Sequence, residues 1–81
     1  MKDMNDYIKS GIYEETELAI MLDKYKDILR WHHTSYAQGY IPVNKAKIMP
    51  YHGRFGIGYT IDRHCNNSSR YMLRSYYILE K

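Results

Sequence analysis

Gly53-Arg54-Phe55-Gly56-Ile57-Gly58-Tyr59-Thr60-Ile61-Asp62 is the most regular stretch of this sequence. Phe55, Ile57, Tyr59 and Ile61 alternate with Gly56, Gly58, Thr60 and Asp62. A period of two puts alternate side chains on opposite faces of an extended chain, so the pattern predicts a strand over 54–62 with one apolar face. Two glycines on the other face are unusual, because glycine weakens a strand and leaves its surface bare.

The flanking segments extend the reading. Towards the C-terminus, Arg63-His64-Cys65-Asn66-Asn67-Ser68-Ser69 is a polar loop, and 70–80 reads as a strand carrying Tyr71, Leu73, Tyr77 and Leu79 on its more apolar side. Towards the N-terminus, Pro50-Tyr51-His52-Gly53 reads as a turn, and 43–49 as a strand with Ala46 and Ile48 inward and Lys45 and Lys47 outward. Gly39 and Pro42 mark 34–42 as a connection. Before it, Leu18, Met21, Leu22, Tyr25, Ile28, Leu29 and His32 recur at steps of three and four, which predicts an amphipathic helix over 14–33. Glu14, Glu15 and Glu17 suit the positive end of its dipole, and His32 and His33 the negative end. A short helix over 3–10 is expected to precede it, stopped at Ser10-Gly11. The expected architecture is α+β, with helices first and then a three-stranded antiparallel meander. The long helix would lie across Phe55, Ile57, Tyr59 and Ile61.

Length and composition set bounds on this picture. Eighty-one residues make a single domain, 1–81. Its expected stability is roughly 4–12 kcal/mol. One cysteine, Cys65, permits no internal disulfide, which fits a reducing, intracellular and cytoplasmic setting. The longest apolar run, 18–22, is too short for a membrane helix or a signal-peptide core, so no membrane partner is expected. Residues 1–40 hold five cations against seven carboxylates, a net of −2, whereas residues 41–81 hold seven against two, a net of +5. Such asymmetry suits contact with a nucleic acid or an acidic partner. Ten tyrosines, many Ile, Lys and Asn, and few Ala match AT-rich codons, which points to a low-GC bacterium or one of its phages.

The chemistry-bearing residues are few. His32, His33, His52, His64 and Cys65 have no metal-ligand spacing, so no metal and no cofactor are expected. Cys65 with a histidine is the only candidate nucleophile pair, and no pair of carboxylates stands in an apolar setting. No catalytic residues are assigned. Gly53, Gly56 and Gly58 lie in an order unlike a dinucleotide fingerprint, and no P-loop lysine follows them. Arg54-Phe55-Gly56-Ile57-Gly58-Tyr59 resembles the aromatic strand motif of the RNA-recognition-motif family, whose rings stack on bases. It lacks that motif's glycine after the basic residue, and a helix precedes all the strands instead of lying between them. The resemblance covers six residues, and no family is assigned on it.

Two surfaces remain as candidates. Ile20 and Trp31, eleven residues apart, would share an exposed face of the expected helix and form an anchor for a protein partner. Lys45, Lys47, Gly56, Gly58, Arg70, Arg74 and Tyr76 would share the sheet face away from that helix, as basic side chains round a glycine floor. The first expectation for function is a non-enzymatic protein-binding module that regulates or inhibits a larger host or defence protein, such as a phage or mobile-element accessory protein. The alternative is a nucleic-acid binder using the basic, tyrosine-rich face. A homodimer formed through an edge strand is a further expectation.

Overall fold

The computed structural model describes residues 8–80. Five strands and one helix follow in the order β1 (Gly11–Glu14), α1 (Glu15–Lys24), β2 (Leu29–Gln38), β3 (Lys45–Gly53), β4 (Gly56–His64) and β5 (Tyr71–Leu79). The strands form a single sheet in the order β1-β3-β4-β5-β2, antiparallel throughout.

This corrects the expectation of a long helix on a three-stranded meander. The helix has ten residues and ends at Lys24. The Ile28 and Leu29 amides both donate to the Tyr25 carbonyl, closing a turn, and the chain then leaves as β2. The segment 29–38 is rich in residues that pack well on a pleated surface, Trp31, Thr34 and Tyr36 among them. Its burial alternates from His33 onward: His33, Ser35 and Ala37 are half-buried, and Thr34, Tyr36 and Gln38 are exposed. Leu29 lies opposite Leu79 and joins the core. The helical spacing is therefore genuine only through Leu18, Met21, Leu22 and Tyr25. Ile28, Leu29 and His32 continue it by coincidence, and pairing with the distant β5 overrides it. At the other end of the helix, the Glu14 amide donates to the Glu17 carboxylate at 3.0 Å, so Glu17 satisfies one of the donors left open there.

The expected helix over 3–10 is not helical at Ile8, Lys9 and Ser10, and residues 3–7 lie outside the described residues. Gly11 opens β1 instead, a strand the sequence reading did not anticipate.

The turn expected at 50–53 lies within β3, where Pro50 pairs with Tyr59, Tyr51 with Gly58 and His52 with Ile57. Pro50 is tolerated there because β1 reaches only as far as Ile48, so the missing proline N–H faces no neighbouring strand. The actual reversal is the two-residue link Arg54-Phe55 between Gly53 and Gly56. Gly56 sits at φ 127°, a region that side-chain-bearing residues rarely adopt, and this interrupts the alternation just before Ile57. Phe55 consequently leaves the face it was expected to share with Ile57, Tyr59 and Ile61.

Tyr59 and Ile61 remain at the centre of the core with Ile8, Leu18, Leu29, Ala46 and Ile48. Each large apolar side chain buried there contributes about 1.5–3 kcal/mol. The Ile8 amide donates to the Tyr59 hydroxyl at 3.1 Å, which gives a buried phenol a partner. Met21, Leu22 and Tyr25 from the helix side close over this cluster, and among the described residues the opposite face of the sheet carries no helix. Among the described residues no helix is long and apolar enough to cross a membrane.

Candidate binding surface

Directly opposed residues of antiparallel strands share a face, so the registers define the uncovered side in three rows. Lys47, Asp62 and Arg74 form the first row, ending at Ser35 on β2. Met49, Thr60, Tyr76 and His33 form the second. Tyr51, Gly58, Ile78 and Arg30 form the third.

The first row is anchored by a fork-to-fork ion pair. Arg74 Nε donates to Asp62 Oδ1 at 2.8 Å, and Arg74 Nη2 donates to Asp62 Oδ2 at 3.0 Å. The Asp62 side chain is 1 % exposed, whereas that of Arg74 is 33 % exposed. A carboxylate so deeply buried needs such a partner. The Asp62 hydrogen bond raises the Arg74 pKa above its ordinary value; desolvation opposes this, and the charge of Asp62 and contact with Tyr76 add to it. Most of the Arg74 charge is thus spent inside the protein.

The second and third rows carry a cluster of rings. His33 stacks on Tyr76 with centroids 4.5 Å apart and planes 11° apart. Tyr51 meets Tyr76 edge-on at 5.1 Å. Phe55, turned onto this face by the hairpin, lies 5.6 Å from Tyr76, 4.7 Å from His33 and 4.6 Å from His32. His32 occupies the irregularity between Trp31 and His33 in the β2 register, which lets two consecutive histidines reach the same cluster. Their Nδ1 atoms are 2.9 Å apart, so one ring donates to the other. The Arg54 guanidinium lies 5.4 Å from the centre of the Phe55 ring. Among the described residues neither Arg54 nor Lys47 has a carboxylate partner.

Six of the nine residues singled out from the sequence lie on this face: Lys45, which shares the parity of Lys47 on β3, with Lys47, Gly56, Gly58, Arg74 and Tyr76. Lys45 is bonded to Glu14 across β1 and β3. Gly58 is buried, and a Cβ there would run into the Tyr77 carbonyl and lie 2.8 Å from Ile78 Cα. Its lack of a side chain therefore serves the close approach of β4 and β5. Arg70 is exposed just before β5, its amide bonded to Ser68 Oγ, and stands apart from the rings. Ile20 and Trp31 share no face: Ile20 is exposed on α1, and Trp31 is exposed on the helix-covered side of β2, its indole N–H donating to Thr34 Oγ1. The helix ends between them.

Tyr51, Phe55, His32, His33 and Arg54 were missed by the sequence reading. For Tyr51 a signal existed, since Lys47, Met49 and Tyr51 continue one period of two; Pro50 hid it. Phe55 carried no such signal, because its reversal depends on the backbone at Gly56.

The remaining sites offer less chemistry. Cys65 is buried and borders a shallow hollow of about 280 Å³ with Tyr36, Asn67, Ser68 and Tyr71. His64 Nδ1 is engaged by the Ile41 carbonyl at 3.0 Å. Among the described residues no group of three or more His, Cys, Asp or Glu side chains is placed to hold a metal ion. Compared with known protein families, curated proteins and solved structures, the chain matches none of them.

Proposed function

We propose that this chain is a non-enzymatic binding module that engages a larger protein through the ring-bearing sheet face, acting as its regulator or inhibitor. The observation that carries this reading is the convergence of His33, Tyr51, Phe55 and Tyr76 on the sheet face opposite α1, with Arg54 beside Phe55. Tyrosine, arginine and other aromatic residues dominate protein interfaces. These rings already hold one another in place, so little side-chain freedom is left to lose on binding. An amino-acid composition that matches AT-rich codons supports a phage or mobile-element setting, in which the partner is a host or defence protein.

A second reading, single-stranded nucleic acid on the same face, draws on Lys47 and Arg54, cations beside stacking rings with no carboxylate partner among the described residues. One experiment separates the two. The native chain, a Phe55→Ala/Tyr76→Ala variant and an Ile20→Ala variant are each used for affinity capture from a low-GC host lysate, with and without nuclease. The protein reading expects one stoichiometric protein, resistant to nuclease, held by the native and Ile20→Ala chains and lost with Phe55→Ala/Tyr76→Ala. Loss on nuclease treatment transfers support to nucleic acid. Capture that is indifferent to both nuclease and the ring substitutions overturns both.

A further inference from the structure

The sheet has two very unequal edges. β1 is four residues long and carries Glu14, whereas β2 is ten residues long and, among the described residues, pairs only with β5. Among the described residues its outer side therefore presents a row of backbone donors and acceptors with no strand beside it. Long edges of this kind are usually blocked by lysine, proline or inward charge. β2 has none of these between His33 and Gln38, and its one irregularity falls earlier, at His32. Its only formal charge, Arg30, is paired with Glu80 at 3.3 Å. Past Gln38, the Gly39 amide turns back to the Arg70 carbonyl and ends the strand.

We propose that β2 pairs antiparallel with β2 of a second copy of this chain, about a two-fold axis through Ser35. Only pairings that oppose residues of like parity keep each residue on its own face of the joined sheet. The pairing centred on Ser35 does so, and it uses the regular tract His33–Ala37. It sets Ser35 against Ser35, Thr34 against Tyr36, and His33 against Ala37, a small side chain beside a larger one in each unlike pair. Neighbouring pairs that fit in this way stabilise a sheet. No carboxylate lies in the tract, and the two Arg30 side chains fall at opposite ends, well beyond a Debye length of about 8 Å. Tyr36, 65 % exposed in the single chain, gains a neighbour. The axis runs perpendicular to the sheet, so the two ring-bearing faces lie on the same side of one continuous sheet. The occupant is a second copy because the tract matches itself; the match does not depend on what the ring-bearing face binds.

The test combines mass and position. Light scattering of the native chain should give twice the 9.8 kDa chain mass, falling to a single chain on dilution. Tyr36→Lys should be monomeric, with a circular-dichroism melt that matches that of the native chain diluted to its monomeric range. Ser35→Cys should form an interchain disulfide under mild oxidation, because directly opposed Cα atoms lie about 4.5–5.5 Å apart, within disulfide range. Ala37→Cys, whose copies sit four residues out of register, should cross-link at least tenfold more slowly. A native chain that stays monomeric at millimolar concentration overturns the proposal. Equal cross-linking at positions 35 and 37 overturns it too.

Discussion

Replacing Gly58 with alanine adds one methyl group at the place where β4 and β5 approach most closely. In an ordinary strand this change is favourable by about 0.5–1 kcal/mol, because alanine loses less freedom on folding. Here the new Cβ would lie 2.8 Å from Ile78 Cα and closer still to the Tyr77 carbonyl oxygen, against an ordinary contact of 3.4–4 Å. Both obstacles are main chain, so no rotamer change relieves them. The strands must part by roughly half an ångström at Ile78, and by more at Tyr77, next to the fully buried Tyr59. Overpacking of this kind costs typically 1–3 kcal/mol, and each ladder hydrogen bond weakened adds up to about 1 kcal/mol. Offset by the gain in chain entropy, the expected net loss is about 2–3 kcal/mol, a large share of the roughly 4–12 kcal/mol available to a chain of this size. The melting temperature should fall by about 8–24 °C, measured by far-ultraviolet circular dichroism and checked by urea titration. A fall of less than about 2 °C, well under the shift that 1 kcal/mol produces, would refute the argument. It would mean that Gly58 is not required by packing and is free to serve as an open floor for a ligand.

The same hairpin offers a contrast, and the buried ion pair a second stability test. In Gly53→Ala the new methyl meets only the outer end of the Tyr51 ring, a side chain that can swing away, so stability should change by less than about 1 kcal/mol. The Tyr51 ring should nevertheless shift, seen as altered aromatic resonances of Phe55 and Tyr76; unchanged spectra would contradict the packing described. Asp62→Asn keeps the shape but turns an amide N–H₂ towards the Arg74 guanidinium and strips its counter-charge. With Arg74 one-third exposed, the cost should be about 1–3 kcal/mol, below the full penalty for an unpaired buried charge. The Arg74 pKa is raised in the folded state, so its contribution is fully present below the unfolded arginine value and is lost only as pH rises through the folded one. The difference between native and Asp62→Asn urea midpoints should therefore stay flat from about pH 7 to pH 10. A marked slope in that window would show that another group controls the pair.

By itself the sequence determined what local rules can carry. Tyr59 and Ile61 share a parity because β4 turns one side to the core, whereas Ile57, expected under the helix by the same parity, is 40 % exposed beyond it; Leu18, Met21, Leu22 and Tyr25 repeat because α1 packs by one stripe. The placing of Lys45, Lys47, Arg74 and Tyr76 on a common face follows from parity once their segments are strands. Three outcomes needed the tertiary structure. Leu29–Gln38 fits a helix by spacing and a strand by composition, and only the distant partner β5 decides between them. Pro50 reads as a turn until β1 proves too short to reach it. Phe55 follows the alternation in the sequence but not in space, because a single backbone torsion at Gly56 sends it to the opposite face. The ring cluster thus depends on one non-local strand pairing and one local reversal, and a period of two encodes neither.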